Sequence, residues 1–310
     1  MNGVIIIDKP IGKTSHDVVA DVKKALGVKK AGHTGTLDPL ATGVLPVCIN
    51  EGTKLARFLA MDKKEYRAVM LLGVKTDTYD IEGKVIAEKK LHVDEEDIRK
   101  ALRSFIGTIE QCPPAYSAVK YQGKPLYKWA REGIRVVSPP RLVEIYRICL
   151  EEVILPYATF SIVCSKGTYI RSLCEKIGEM LGCGACLAGL RRTRSGSYSE
   201  NAAVPLAEIG KVGIKETLAD RLVPLVDVLP ELAAVQIDER MAEELKHGCQ
   251  PSVNALITYD IPFLAAGDML RFIKDRSLVA IAKMLHPSDL LPTLDGQKQA
   301  AKVMRVFTGG

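Results

Sequence analysis

Short apolar runs and one-sided apolar stripes follow each other along this chain. Gly3-Val4-Ile5-Ile6-Ile7-Asp8 is a continuous apolar run between a glycine and a charge, which predicts a short buried strand. Lys9-Pro10-Ile11-Gly12 then turns the chain, and Ser15 is placed to cap a helix with Val18, Val19, Val22 and Leu26 on one face and Gly27 at its end. Tyr66 to Leu72 alternates as a strand closed by Gly73. Asp94 opens a helix with acids in its first turn and Ile98, Leu102 and Phe105 on one face, predicted to end at Gly107. Thr159 to Cys164 reads as a strand that leads through Ser165-Lys166-Gly167 into a helix with Ile170, Leu173, Cys174, Ile177 and Leu181 inward, stopped by Gly182. Pro224 to Pro230 reads as a linker. Beyond it the pattern predicts a strand (Ala233 to Ile237), a helix (Asp238 to Lys246, ended by Gly248) and a hairpin pairing 269–273 with 278–282.

A chain of 310 residues with 47% hydrophobic and 26% charged content can bury one large core, or a large and a small one. No segment offers the roughly 18 uninterrupted apolar residues of a membrane-spanning helix, and the first apolar run is too short for a secretory signal. Eight cysteines lie scattered without the spacing of a disulfide scaffold, so a reducing cytoplasm is expected. The net charge is +6 and unevenly placed: from Glu231 onward nine basic residues face ten acidic ones, so the surplus lies in the first 230 residues. Such a surplus suits a polyanion without proving one.

The densest chemistry is in Ala31-Gly32-His33-Thr34-Gly35-Thr36-Leu37-Asp38-Pro39-Leu40-Ala41-Thr42-Gly43-Val44-Leu45. It carries one carboxylate, Asp38, among small and apolar residues, with Pro39 stiffening the chain directly after it. Two readings are open on local chemistry alone. Asp38 can be presented for attack on a ligand, or it can close an Asx-type turn on its own backbone. A second notable stretch, Ser117 to Arg141, with Tyr116 just before it, interleaves Lys120, Tyr121, Lys124, Tyr127, Lys128, Trp129, Arg131 and Arg135. Cations among aromatic rings can meet phosphates and stack on bases; the same residues also fit an amphipathic surface helix with Leu126 and Trp129 packed inward.

The loop resembles the catalytic loop of the bacterial tRNA pseudouridine-55 synthases, the TruB family, with its pattern Gly-His-x-Gly-x-Leu-Asp-Pro-x-Ala-x-Gly-x-Leu. The resemblance continues in register to about residue 200. Asp8-Lys9-Pro10-Ile11-Gly12 is similar to the motif that supports the loop, and Lys63-Lys64-Glu65-Tyr66-Arg67 followed by Thr76-Asp77-Thr78-Tyr79-Asp80 to the motif with the active-site tyrosine. Pro113-Pro114-Ala115-Tyr116-Ser117 resembles the approach to an RNA-gripping insertion, here about 117–141. Ser165-Lys166-Gly167-Thr168-Tyr169-Ile170-Arg171 carries the family's arginine, and Leu190-Arg191-Arg192-Thr193 its late leucine.

The resemblance implies an α+β fold: a catalytic domain over 1–228, built on a mixed, mostly antiparallel sheet flanked by helices, and a small β-rich PUA-like domain over 229–310. Gly267-Asp268 is the weaker cue for the second domain. It further implies isomerisation of uridine 55 in the T-loop of tRNA by base flipping, with no cofactor or metal. Asp38 would be the nucleophile, Arg171 its compensating charge, and Tyr66 the stacking ring whose hydroxyl is available for proton transfer. Tyr169 would line the base pocket, Leu190 would pack against the base or its neighbour, His33 would enter the T-loop, and Lys120, Lys124 and Lys128 would grip the T-arm. Without the resemblance, Arg171 fits a structural ion pair, Tyr66, Tyr169 and Leu190 fit core positions, and His33 fits a structural loop histidine. Thr168 is placed to cap the helix that follows it. A monomer working alone in the cytoplasm is expected, against two rivals: a guide-RNA-dependent enzyme of the H/ACA kind, and a tRNA-folding chaperone that needs no chemistry.

Three local patterns lead nowhere. Gly12-Lys13-Thr14 lacks the earlier glycine of a phosphate loop, since position 7 is Ile7. Cys183 and Cys186 form a lone pair with no second pair at zinc spacing. Asp77 and Asp80 sit in a turn-rich segment and are expected to fix that turn rather than a metal.

Overall fold

The computed structural model describes residues 1–134, 136, 138–209, 218 and 220–308; Arg135 of the basic stretch lies outside the described residues. The strands that frame the first unit are β1 (Gly3–Lys9), β2 (Ala31–His33), β3 (Ala41–Ile49), β4 (Lys64–Leu72), β5 (Gly107–Gln111), β6 (Arg141–Ile154), β7 (Tyr157–Cys164) and β8 (Ala185–Ser195). Its helices are α1 (Ser15–Leu26), α2 (Glu95–Arg103), α3 (Leu126–Arg131) and α4 (Ile170–Met180). In space the strands run β1-β3-β8-β4-β7-β6-β5 within one 11-stranded sheet. The β8/β3 pairing is parallel, and the other neighbours along that path are antiparallel. The sheet is therefore mixed and mostly antiparallel, as expected.

The second unit is a four-stranded sheet of β9 (Ala233–Gln236), β10 (Met269–Lys274), β11 (Ser277–Met284) and β12 (Ala301–Val306), packed under helix α5 (Glu239–Lys246). Asp238 caps α5 by accepting from the Met241 amide at 2.8 Å.

Helix α4 lies on the sheet with Ile170, Leu173, Cys174 and Ile177 buried against Ala68, Met70, Phe160 and Ile162. At roughly 1.5–3 kcal/mol for each large apolar side chain buried, this contact fixes where the helix begins, and hence where Arg171 stands. Helix α1 is capped by Thr14 rather than Ser15: the Thr14 hydroxyl accepts from the Asp17 amide, and Asp17 reaches back to the Thr14 amide. α2 has the cap expected at Asp94, but it stops at Arg103, and Gly107 instead starts β5.

The stretch read as a linker is not one. Leu225, Val228 and Leu229 are buried in a cluster that joins Val4, Cys48, Leu55 and Phe58 of the first unit to Leu278, Ile281 and Phe307 of the second. Lys54 Nζ donates to the Val306 carbonyl at 3.0 Å and Arg57 to the Met304 carbonyl at 3.1 Å. The two units share this apolar seam.

Candidate active site

Asp38 sits on the connection between β2 and β3, clamped from below. The fully buried Lys9 donates from Nζ to three carbonyls, Pro10 at 2.9 Å, Pro39 at 3.3 Å and Ala41 at 2.6 Å. The buried Ser15 hydroxyl accepts from the Leu37 amide at 2.8 Å and donates to the Leu37 carbonyl at 3.1 Å. Leu37 and Leu40 are buried on either side of the acid. Gly43, with φ +97°, lies where a Cβ would come within 2.3 Å of the Arg192 carbonyl oxygen, so a side chain at 43 would separate β3 from β8. With its neighbours anchored, Asp38 carries a carboxylate that is 38% exposed and pairs with Arg171 Nε at 2.9 Å. That ion pair points the carboxylate across to α4 rather than back at its own turn, which favours presentation over the Asx-turn reading.

Arg171, in the first turn of α4, is 5% exposed as a side chain. Its Nη1 donates to the Thr78 carbonyl at 3.2 Å and its Nη2 to the Tyr116 carbonyl at 2.7 Å, while Nε meets Asp38 as an ion contact without hydrogen-bond alignment. A second carboxylate stands behind it, with Asp80 Oδ2 at 3.6 Å from Nη1. Asp80 does fix its turn as expected, since Oδ1 accepts from the Thr78 hydroxyl at 2.6 Å and from the Glu82 amide at 3.1 Å. Its other oxygen faces the arginine. Thr168 does not cap α4: its hydroxyl donates to the Ser165 carbonyl at 2.9 Å. The helix entry is held instead by Gln111 of β5, whose side-chain amide donates to the Tyr169 carbonyl at 2.9 Å and accepts from the Tyr169 amide at 2.7 Å.

These groups border a cavity of about 320 Å³ lined by Asp38, Lys64, Tyr66, Tyr169, Arg171, Leu190, Arg192 and neighbours. The volume is at the lower end of small-ligand sites. Tyr66 lies on β4 directly opposite Arg192 on β8. Burial pushes the Tyr66 phenol up and the Arg192 guanidinium beside it acts in the other direction. The Thr34 hydroxyl, at the cavity wall, and His33 Nδ1 are buried without hydrogen-bond partners among the described residues. Burial pushes the His33 imidazolium below the ordinary histidine range. Asp38, Tyr66, Arg171, Tyr169 and Leu190 are thus brought together, whereas His33, Lys120, Lys124 and Lys128 do not line the cavity. Lys120 lies on the exposed rim of the insertion, while Lys124 pairs with Glu132 and lies 4.2 Å from the Trp129 ring centroid.

Residues 23–170 match the family model described as TruB family pseudouridylate synthase (N terminal domain), and 171–234 match tRNA pseudouridylate synthase B C-terminal domain. The chain is 52% identical to tRNA pseudouridine synthase B of Syntrophus aciditrophicus (strain SB), with 99% of each chain covered. The chain belongs to the TruB family of pseudouridine synthases. It is also 44% identical to tRNA pseudouridine synthase B of Geobacter sulfurreducens over 92% of this chain and 94% of that one. Among solved structures, one described as a Cbf5-Nop10-Gar1 complex matches with TM-score 0.76 and 32% identity, covering 99% of this chain and 85% of that chain.

For a pseudouridine synthase the task is to break the N1–C1′ bond of a uridine, turn the base and join C5 to C1′. The site of this synthase offers a positioned carboxylate, an aromatic face and an apolar wall at Leu190. Lys9, Asp80, Gln111 and Ser15 support it; the motif around Lys9 resembles the family's loop-supporting one, but the contacts these four side chains make are not readable from local sequence. Each acts through a contact spanning at least 22 positions along the chain, such as Ser15 with Leu37 or Asp80 with Arg171. Among the described residues no cluster of three His, Cys, Asp or Glu side chains could hold a metal ion, and no helix is long and apolar enough to cross a membrane.

Proposed function

We propose that this synthase converts uridine 55 in the T-loop of tRNA to pseudouridine, with Asp38 as the nucleophile. One observation carries the reading. Asp38 is partly open on a clamped loop, next to a buried arginine, at a cavity faced by Tyr66, Tyr169 and Leu190. The substrate class follows the name its relatives share, tRNA pseudouridine synthase B.

A uracil stacked inside an RNA loop cannot reach Asp38, so the enzyme flips it out at a cost of about a few kcal/mol, recovered by stacking and loop contacts. Tyr66 is the stacking ring, Tyr169 and Leu190 hold the base edges, and His33 enters the T-loop in place of the extruded nucleotide. The carboxylate then attacks C1′ or C6, or assists loss of the 2′ proton, while Arg171 offsets its charge. The insertion at 117–141 grips the T-arm through Lys120, Lys124 and Lys128. The chain divides into a catalytic domain over 1–228 and a PUA-like domain over 229–310, and it acts in the cytoplasm as a monomer without guide RNA.

The test is incubation of the pure protein with a T-arm stem-loop, followed by mapping of pseudouridine. The expected result is one modified position, the T-loop uridine, with no guide RNA or second protein added. Asp38→Asn abolishes the modification while RNA affinity stays within a few-fold. Modification at another uridine, a requirement for a guide, or turnover by Asp38→Asn overturns the reading.

A further inference from the structure

The charges around the cavity do not balance. Arg171 has Asp38 and Asp80 beside it, but two other cations in the lining, Lys64 and Arg192, have no carboxylate partner among the described residues. Lys64 is 5% exposed and donates to the Leu59 carbonyl at 3.2 Å. Arg192 is 1% exposed, with Nε donating to the Val44 carbonyl at 2.6 Å and Nη2 to the Gly35 carbonyl at 3.3 Å. Neither forms an ion pair among the described residues, and Asp62 acts on Lys64 only at longer range. Buried cations without counter-charges are costly to a fold, and apolar residues in their place are usually tolerated at least as well. Their position is specific. Lys64 precedes Tyr66 by two residues on the same strand, and Arg192 is the cross-strand partner of Tyr66, within hydrogen-bond reach of its hydroxyl. Lys64, Tyr66 and Arg192 line the same cavity.

A uridine base enters the cavity neutral, and the reaction is what makes it negative. When N1–C1′ breaks heterolytically, the bonding pair stays on the ring. C1′ is compensated by a bond to the Asp38 carboxylate or by loss of the 2′ proton. If the carboxylate adds at C6 instead, the displaced pair moves onto the C4 carbonyl oxygen. Every route therefore passes through an anionic ring, until C5 takes C1′, C5 releases its proton and N1 gains one, with the carboxylate leaving C1′ or C6, or the 2′ proton returning to C2′, as the route requires. We propose that Lys64 and Arg192 form a preorganised cationic floor that stabilises the uracil ring while it carries this negative charge. The floor acts on a charge absent from the bound substrate, so its contribution falls on the chemical step rather than on RNA binding. The inference rests on the pseudouridine-synthase reading of the cavity.

The experiment compares single-turnover rates and equilibrium RNA affinities on the T-arm stem-loop for Lys64→Gln, Lys64→Arg, Arg192→Gln and Arg192→Lys. The two Gln variants are expected to fall about 100-fold in rate, the size of effect seen when one such donor is removed, with RNA affinity within about threefold. The two charge-keeping variants are expected to regain a large part of the rate. If affinity falls in step with rate, the cations hold a phosphate of the substrate and the proposal fails. It also fails if the charge-keeping variants are no better than the Gln variants. Should Arg192→Gln fail to fold because the Val44 and Gly35 carbonyls are left without a donor, the Lys64 pair decides alone. A parent protein that folds but makes no pseudouridine in the stem-loop removes the underlying reading, and the inference with it.

Discussion

Burial pushes the ammonium groups of Lys9 and Lys64 down to about 8 from the ordinary 10.5. An unfolded chain keeps both protons well above pH 8, so between about pH 8 and pH 10 it binds more protons than the folded chain. The contribution of these two sites to stability therefore rises with pH across that window. Below pH 8 both states are protonated, and the folded state carries the whole penalty of the buried charge. Lys64→Met is expected to be at least as stable as the parent at pH 7 and to show a smaller gain on going to pH 10, measured by urea unfolding at both values. A Lys64→Met protein less stable at pH 7, with the parent's full alkaline gain, contradicts this assignment. The same scale shows what kind of detail is invisible in the chain. Local sequence makes Ser15 the helix cap, yet its hydroxyl holds Leu37 beside Asp38 and the cap falls to Thr14. Both are competent cap residues one position apart, and the choice depends on a loop more than 20 residues away.

Among the elements, α4 has little room for change. A Cβ added to Gly178 would come within 2.1 Å of the Ala185 amide nitrogen and 2.4 Å of the Gly184 carbonyl carbon. The helix thus touches the start of β8 backbone to backbone, with the Gly184 amide donating to the Gly178 carbonyl at 2.8 Å. Gly178→Ala is expected to destabilise by about 2 kcal/mol or more, despite the better helix propensity of alanine, because overpacking of this kind costs about 1–3 kcal/mol and backbone has little freedom to yield. A urea midpoint equal to the parent's is the result that contradicts it. Elements marked by clean periodicity (β4, α1, α4) or by short apolar runs bounded by turn residues (β1 and the hairpin pairing 269–273 with 278–282) are legible in the sequence. β3, β6 and β8 are not. β3 is buried along nearly its whole length, so nothing alternates. β6 carries register shifts at Ile145/Arg147 and Leu150/Glu152 that break the period of two. β8 contains Arg191, Arg192 and Arg194 in a central strand, a pattern that reads as surface until carbonyls of other segments are found to satisfy Arg192.

At the scale of the whole molecule, the positive surplus of the first 230 residues, together with Lys120 and Lys128 of the 117–141 stretch, is expected to make RNA affinity salt-dependent. Each phosphate that a lysine neutralises adds roughly 0.7 to 0.9 to the steepness of log affinity against log salt. Replacing Lys120 and Lys128 by alanine is expected to flatten that slope by up to about 1.4 to 1.8, two phosphates' worth. Lys124→Ala is expected to change it less, because that side chain is held by Glu132 and Trp129. An unchanged slope in the double variant shows that these two lysines do not meet phosphates.

The sequence by itself determined the loop carrying Asp38, the strand carrying Tyr66, the helix start carrying Arg171 and the β-rich character of the C-terminal unit, since periodicity, caps and glycines act within a few residues. Tertiary structure alone decided that the 224–230 stretch is a packed seam, that Asp80 stands behind Arg171, and that Lys64 and Arg192 are buried cations satisfied by carbonyls rather than by carboxylates. Burial and pairing of a charge depend on which distant segments surround it, and a linear pattern carries no record of those neighbours.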